Sequence, residues 1–455
     1  MPARSVIVLF DIGKTNKKVF LLDEHYKIVW EQSQSFEETG DEDNDPCENV
    51  EKLTEWVKSS YAEALALEDF DIRAVNFSAY GASFVHIGRD GKPVAPLYNY
   101  LKPYPEALKK KFYDTYGGEV TFSMLTASPV LGSLNSGMQL YRIKEEKPEL
   151  YERIYCSLHL PQYLSFLLTG KQYSDITSIG CHTNLWNFSQ HHYHEWVYRE
   201  GIIDKLAPIR ESDKVLPVGG SGKVSPVGGL DKMLPVRGSD IPSVGERVSG
   251  IGLHDSSAAM IPYLESFQEP FVLISTGTWC ISMNPFNDQP LTVAELQKDC
   301  LCYISYQGRP VKASRLFAGH WHEQEVKKLA ARYLKDPQYA NTVAFDASIV
   351  SLVHERSTDD SFEQAYHRLI LDIIEQQAAS TRLVLEGTAV KRIFVDGGFA
   401  RNQVFMHLLA AAFPHIEVFA ASIPQATAIG AALAIHSRWN KLSLPGDIIE
   451  LKFYK

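Results

Sequence analysis

Val6-Ile7-Val8-Leu9-Phe10-Asp11-Ile12-Gly13-Lys14-Thr15-Asn16-Lys17-Lys18-Val19-Phe20-Leu21-Leu22 reads as a strand, a tight polar turn and a second strand, and a third strand follows at Ile28–Glu31. The plan returns in the second half: the apolar run Phe271–Ile274, the small polar turn Ser275-Thr276-Gly277-Thr278, then a strand at Cys280–Met283. Behind the first hairpin, helical spacing covers Leu53–Leu67 and a buried strand covers Ala74–Ser78. Phe84–Ile87 and Pro93–Leu97 flank the turn Arg89-Asp90-Gly91-Lys92 as a further hairpin. Residues 105–210 are mostly helical, with a glycine stop at Thr169-Gly170. Behind the second hairpin come helical periods at 323–335 and 361–386, the strand Arg392–Val395, a helix over 402–413, the strand Ile416–Ala420 and a helix over 425–437. Two halves with one plan imply a duplicated α/β architecture, with a ligand between the halves.

The halves divide near residue 248, giving an N-terminal domain over 1–247 and a C-terminal domain over 248–455. Before that boundary, residues 211–250 are rich in Gly, Pro and Val. Pro217-Val218-Gly219-Gly220, Pro226-Val227-Gly228-Gly229 and Pro235-Val236-Arg237-Gly238 recur every nine residues, too few times for a solenoid, so an irregular β/loop segment is expected. The 455 residues carry a net charge of −10 with 22% charged residues, ordinary for a soluble globular chain and poorly suited to nucleic-acid phosphates. The acidic stretch Glu37–Asp45 reads as a solvated loop. Six scattered cysteines form no disulfide scaffold; Cys300 and Cys302 share a strand, but two ligands do not make a zinc site. Reduced thiols and the lack of any long apolar run point to the cytoplasm, with no membrane and no nucleic acid as partner.

No GxxxxGK[ST] or GxGxxG follows the first strand, which argues against a Walker or Rossmann site. The turns at Gly13–Lys17 and Ser275–Thr278 instead offer glycine for close approach and hydroxyl, amide and ammonium donors for phosphate oxygens. One such turn is common; one opening each half, with an acid beside the first, is not. Asp11 would be repelled by a polyphosphate unless a cation intervenes, so it is the natural Mg²⁺-side residue, acting through water. Asp396-Gly397-Gly398-Phe399-Ala400-Arg401-Asn402 lies at a strand-to-helix junction where paired glycines let a flat ligand approach the backbone and Asn402 can cap the helix or hold the ligand.

Together these pieces resemble the FGGY family of carbohydrate kinases. The resemblance implies an actin-like (ribonuclease H-like) ATPase fold, two similar lobes with a cleft between them, and ATP and Mg²⁺ as cosubstrates. Asp11-Ile12-Gly13-Lys14-Thr15-Asn16 is similar to the family's first phosphate motif, Ser275-Thr276-Gly277-Thr278-Trp279 to its second, and Gly397-Gly398 with Asn402 to its adenosine motif. Gln425-Ala426-Thr427-Ala428-Ile429-Gly430-Ala431-Ala432 resembles its late E-A-x-x-x-G-A-A helix with Gln in place of Glu. Gly252-Leu253-His254-Asp255-Ser256-Ser257-Ala258-Ala259 resembles the motif carrying its catalytic aspartate, which makes Asp255 the expected base. The resemblance assigns ATP to Gly13, Lys14, Thr15, Asn16, Thr276, Gly277, Thr278, Gly397, Gly398 and Asn402.

His254-Asp255-Ser256, the Ser275–Trp279 turn, Leu160-Pro161-Gln162-Tyr163-Leu164 and Thr177–Thr183 are similar to the rhamnulokinase and fuculokinase branch. Tyr80, Gly81, Ser83, His182 and His254 are the implied sugar ligands, and Tyr80 or Phe84 could cover a methyl. Ser83 stands where that branch has an acid, and Tyr98-Asn99-Tyr100 lacks the acid and arginine of many members. The expected function is ATP-dependent phosphorylation of a small ketose, first a 6-deoxyketohexose such as L-rhamnulose or L-fuculose. A kinase for xylulose, ribulose or glycerol, and a non-catalytic actin-fold sugar sensor, are the alternatives. The sugar is the expected partner, and a homodimer is compatible with the sequence.

Overall fold

The computed structural model describes residues 3–219, 246–355 and 360–454. The second and third Pro-Val repeats lie outside the described residues; the first enters the strand Val215–Pro217. The chain forms two compact units: residues 1–265, 302–309 and 425–446, and residues 266–301, 310–424 and 447–455.

In the first unit, β1 (Arg4–Ile12), β2 (Lys17–Asp23) and β3 (Ile28–Gln34) form an antiparallel meander, and β1 also pairs in parallel with β4 (Phe70–Ala79). Beyond β4 lie β5 (Val215–Pro217), β6 (Val248–Gly250) and β7 (Leu253–His254), with β6 and β7 both parallel to β4. Val6 through Phe10 are fully buried, as a run apolar on both faces requires when both are covered. The helix Val50–Leu65 packs on this sheet, and the late helix Ala426–Ala434 packs against β1 and β4.

The buried Asn76 secures this arrangement. Its Nδ2 donates to the Ala431 carbonyl at 2.8 Å, and its Oδ1 accepts from the amides of Phe77 at 2.9 Å and Gly252 at 3.2 Å. These bonds and the pairing of β6 and β7 with β4 explain why the expected boundary near residue 248 falls inside the first unit, and why residues 425–446 group with it.

The second unit repeats the plan. β8 (Phe271–Thr276), β9 (Cys280–Asn284) and β10 (Pro310–Leu316) form an antiparallel meander. β8 pairs in parallel with β11 (Arg392–Gly397), which pairs in parallel with β12 (Glu417–Ser422); β13 (Glu450–Phe453) closes the edge. The helix Phe362–Leu385, started by the Ser361 side chain accepting from the Gln364 amide, buries Phe362, Tyr366, Ile370 and Ile373 against this sheet.

Two expectations need correction. Pro93–Leu97 forms only isolated bridges, because Pro93 and Pro96 remove two amide donors; Phe84–Ile87 pairs with Cys156–His159 instead. The acidic loop is not simply solvated: the buried ammonium of Lys102 contacts Asp41, Asp43 at 2.8 Å and Asp45 at 3.0 Å. All six cysteines are unbridged and buried. Among the described residues no helix is long and apolar enough to cross a membrane.

Gly430 is where the late helix touches the helix Asp255–Ser266: a Cβ there would lie 1.8 Å from the Ala258 carbonyl oxygen. Gly430→Ala is therefore expected to destabilise the first unit by about 1–3 kcal/mol, as overpacking does. Thermal unfolding checks this against Gly446→Ala, where nothing lies within 4 Å of the new Cβ.

Candidate active site

The parallel strands of the first unit all end at one edge of the sheet. In register, Asp11 and Leu253 both pair with Ser78, and Ile12 and His254 both pair with Ala79. The next residues out are Gly13, Tyr80 and Asp255, and the Tyr80 amide donates to the Ile12 carbonyl at 3.1 Å. Open α/β sheets bind ligands at the carboxyl ends of such strands.

Asp11 and Asp255 are the acids of this edge. The Asp255 carboxyl is pushed up to about 6 by burial, opposed by hydrogen bonds from Ser256. About a third of its side chain (33%) remains open, which lets a substrate hydroxyl reach it and lets water temper the shift. Asp11 is also pushed up to about 6, first by burial; the Thr427 hydroxyl, donating to Oδ2 at 2.8 Å, and Lys18 lower it, while the charge of Asp255 raises it.

The turn after Asp11 closes with the Gly13 amide on the Asn16 carbonyl at 2.9 Å and leaves the Thr15 and Asn16 side chains exposed. Lys14 pairs with Glu38 at 2.7 Å and lies 5.9 Å from the Tyr80 ring centroid. Lys17 does not face outward. Its ammonium is buried, donating to the Lys14 carbonyl and to Glu48, each at 2.9 Å, and Tyr80 OH donates to the same Glu48 oxygen at 3.4 Å. The pair thus braces both the turn and Tyr80.

Around Tyr80 the other expected sugar residues gather. Gly81 packs on His254, since a Cβ would sit 2.7 Å from the imidazole Cδ2. Ser83 is buried, with no partner on Oγ among the described residues. His182, at φ +40°, bonds the Leu134 carbonyl through Nδ1 at 3.1 Å, and its ring centroid lies 6.2 Å from that of Tyr303. A small cavity of about 20 Å³ lined by Tyr98, Asn99, Lys102 and Gln139 lies beside the acidic loop, with its lysine already paired.

In the second unit the turn after β8 and the turn after β11 are bound to each other, with Thr276 paired to Gly397. Thr276 Oγ1 donates to the Asp396 carbonyl at 2.5 Å and accepts from the Phe399 amide at 3.0 Å. Gly397 has φ +89°, and a Cβ there would lie 1.9 Å from the Thr276 carbonyl oxygen, so only glycine fits. Gly277 and Thr278 are exposed, and Gly398 faces open space. Asn402 caps the following helix, accepting from the Phe405 amide at 3.0 Å, and donates to Tyr366 OH at 2.7 Å, so both ends of its amide are held by protein. Thr427, Glu48, Cys181 and Tyr303 were not among the expected site residues; Thr427 lay within the 425–432 motif and Cys181 within the Thr177–Thr183 motif, whereas Glu48 and Tyr303 carried no sequence signal.

The FGGY family of carbohydrate kinases, N-terminal domain, matches residues 6–238, and C-terminal domain models of the same family match residues 268–356 and 362–436. The chain belongs to the FGGY family of carbohydrate kinases. The curated rhamnulokinase of Halalkalibacterium halodurans is 22% identical over 167 residues, covering 37% of this chain and a third (33%) of that protein. Among solved structures, a carbohydrate kinase from Novosphingobium aromaticivorans has a TM-score of 0.78 at 21% identity over 100% of this chain and 94% of that one. A ligand-bound xylulose kinase from Lactobacillus acidophilus has a TM-score of 0.77 at 16% identity over 99% and 93%. Plasmodium falciparum glycerol kinase with ADP has a TM-score of 0.72 at 16% identity over 96% and 90%. The fold of this FGGY chain is the actin-like, ribonuclease H-like one, and the shared sheet order of its units is the duplication expected from sequence.

Thr427→Val removes the hydroxyl that offsets the burial of Asp11. A carboxylate losing one hydrogen bond should titrate about one unit higher. Carboxyl ¹³C NMR of aspartate-labelled protein checks this, with the Asp255 resonance as internal comparison.

Proposed function

We propose that the protein transfers the γ-phosphoryl group of ATP to a hydroxyl of a small ketose, with Asp255 as the base. The observation that carries this reading is the carboxylate of Asp255 at the strand-end edge, ionised above about pH 6, partly open, and next to the loop of Tyr80, Gly81 and Ser83. The ketose oxygen attacks the γ-phosphorus, its proton passes to Asp255, and the bond to the β-phosphate oxygen breaks, giving ADP and a sugar phosphate. Phosphoryl transfer asks for positioning and electrostatic stabilisation more than for covalent chemistry. In the first unit the turn of Gly13, Lys14, Thr15 and Asn16 is suited to ATP phosphates, and in the second unit the exposed Gly277, Thr278 and Gly398 make turns of the same phosphate-binding kind. Thr276, Gly397 and Asn402 act through the backbone shape they fix. Family membership supports ATP as the donor.

Asp11 suits Mg²⁺. Its donors are oxygen only, Thr427 leaves Oδ1 to a hydrated cation, and two mutually repelling carboxyls with raised pKa values gain from a nearby positive charge. When bound, that ion would neutralise charge on the phosphate oxygens.

For the acceptor, we favour a 6-deoxyketohexose such as L-rhamnulose or L-fuculose over xylulose, ribulose or glycerol. Two features support it: the partial match to a rhamnulokinase, and an aromatic wall of Tyr80 and Tyr100, centroids 6.1 Å apart, suited to a methyl group. The cytoplasm, where ATP is plentiful and thiols stay reduced, is the proposed compartment.

A coupled ADP-release assay over ketoses and polyols, with phosphorus NMR of the product, tests the reading; turnover of no acceptor overturns it. Asp255→Asn is expected to lower kcat by about 10²–10⁴-fold with nucleotide affinity within a few-fold. With Asp255 and Asp11 both needed in ionised form, kcat/KM should be flat well above pH 6 and fall at least tenfold per unit below it. A limb near the ordinary carboxylate value of 3.8 contradicts the assignment.

A further inference from the structure

Lys14 and Lys17 bring two ammonium groups to the turn after β1, and the structure treats them differently. Lys14 stays partly exposed, paired with Glu38 at 2.7 Å. Lys17 is 1% exposed and meets Glu48, itself 4% exposed, at 2.9 Å. Apolar residues of similar volume often replace such a buried pair without loss of stability, whereas removing one partner strands a buried charge. Stability alone therefore does not account for a lysine and a glutamate here.

The pair does two things that apolar side chains cannot. The Lys17 ammonium also donates to the Lys14 carbonyl at 2.9 Å, inside the turn that the Gly13 amide closes on the Asn16 carbonyl. Glu48 Oε2, which accepts from Lys17, also accepts from Tyr80 OH at 3.4 Å. Burial, and after it the charge of Glu48, hold the Tyr80 phenol well above its ordinary pKa, so it stays protonated and remains a donor.

Glu48 is itself held in place. It stands between the short strand Pro46–Cys47 and Asn49, which caps the helix Val50–Leu65, and its backbone bridges to Leu97. The turn after β1, the Tyr80 loop after β4 and the chain leading to Tyr100 thus meet at one residue, and the Tyr100 ring centroid lies 6.1 Å from that of Tyr80.

We propose that Glu48 is a positioning residue for phosphoryl transfer: through Lys17 it sets the Gly13–Lys17 turn for the ATP phosphates, and through Tyr80 it sets the ring that meets the ketose. One buried carboxylate then aligns donor and acceptor. This rests on the kinase reading above and adds the group that ties its two substrate sides together.

The test uses two double variants of the whole protein. Lys17→Met with Glu48→Leu replaces the pair by apolar groups. Lys17→Met with Glu48→Gln gives Tyr80 back an acceptor but leaves the Lys14 carbonyl without its donor. Both should melt within about 5 °C of wild type. Both should exchange the amides of residues 11–19 about tenfold faster, read by deuterium uptake, and bind Mg²⁺–ATP more weakly by calorimetry.

With Mg²⁺–ATP and L-rhamnulose, the Met/Leu variant should lose about tenfold to hundredfold in kcat, as misalignment does, and raise the KM of both substrates. The Met/Gln variant should return the sugar KM to within about threefold of wild type while the ATP KM stays high.

A Met/Leu variant that matches wild type in exchange, ATP affinity and kcat overturns the proposal. So does one that melts more than 5 °C or so lower, which would make the pair a stability element. Equal effects of the two variants on the sugar KM overturn the link through Tyr80. If Asp255→Asn, run in parallel, keeps turnover, or wild type turns over no acceptor, the kinase reading falls on its own, and deuterium uptake with ATP calorimetry still decides whether Glu48 sets the turn.

Discussion

Parallel hydrogen bonding of β1, β6 and β7 around a common architecture, with β4 at the centre, is the constraint from which the first unit's chemistry follows. Because β1 and β7 flank β4 in register, the chain leaves the sheet at Gly13, Tyr80 and Asp255 along a single edge, with Asp11 near the end of β1. Residues separated by up to 244 positions in sequence become neighbours through backbone pairing alone. A one-residue slip would turn each side chain to the opposite face and dissolve the group. Asn76 guards against that slip, since its amide joins β4, the Gly252 amide and the late helix.

The same edge collects charge that its surroundings resist. Asp11 and Asp255 are buried enough to bind protons more tightly than free carboxyls, and each charge discourages the other. Thr427, Ser256 and Lys18 offset part of that penalty. A site poised in this way can hold a proton near neutrality and attract a cation, and phosphoryl transfer uses both properties. The Lys17–Glu48 pair, away from water, keeps the Gly13–Lys17 turn and Tyr80 in fixed relation.

Much of this was legible in the residues. Val6–Phe10 announced a strand, which the structure buries on both faces, and the turns at 13–17 and 275–278 announced the repeated hairpin plan. Local pattern could not show that 425–446 returns to the first unit, because that depends on Asn76 and Gly430 meeting partners far along the chain. Lys17 illustrates the same limit: beside Lys14 it looked like a phosphate donor, and only Glu48 arriving from another loop turns it inward. The ring nitrogens of His254 meet Ser257 Oγ and Cys181 Sγ, and the sequence could not show Cys181 arriving from 73 positions away.

The central claim is that Asp255 meets the sugar and Asp11 meets the metal–nucleotide. Carboxyl ¹³C NMR, with ketose and Mg²⁺–ADP added separately, tests it most directly. The account predicts that ketose moves the Asp255 resonance and Mg²⁺–ADP moves that of Asp11. Ketose binding that leaves Asp255 unmoved while shifting Asp11 would contradict it.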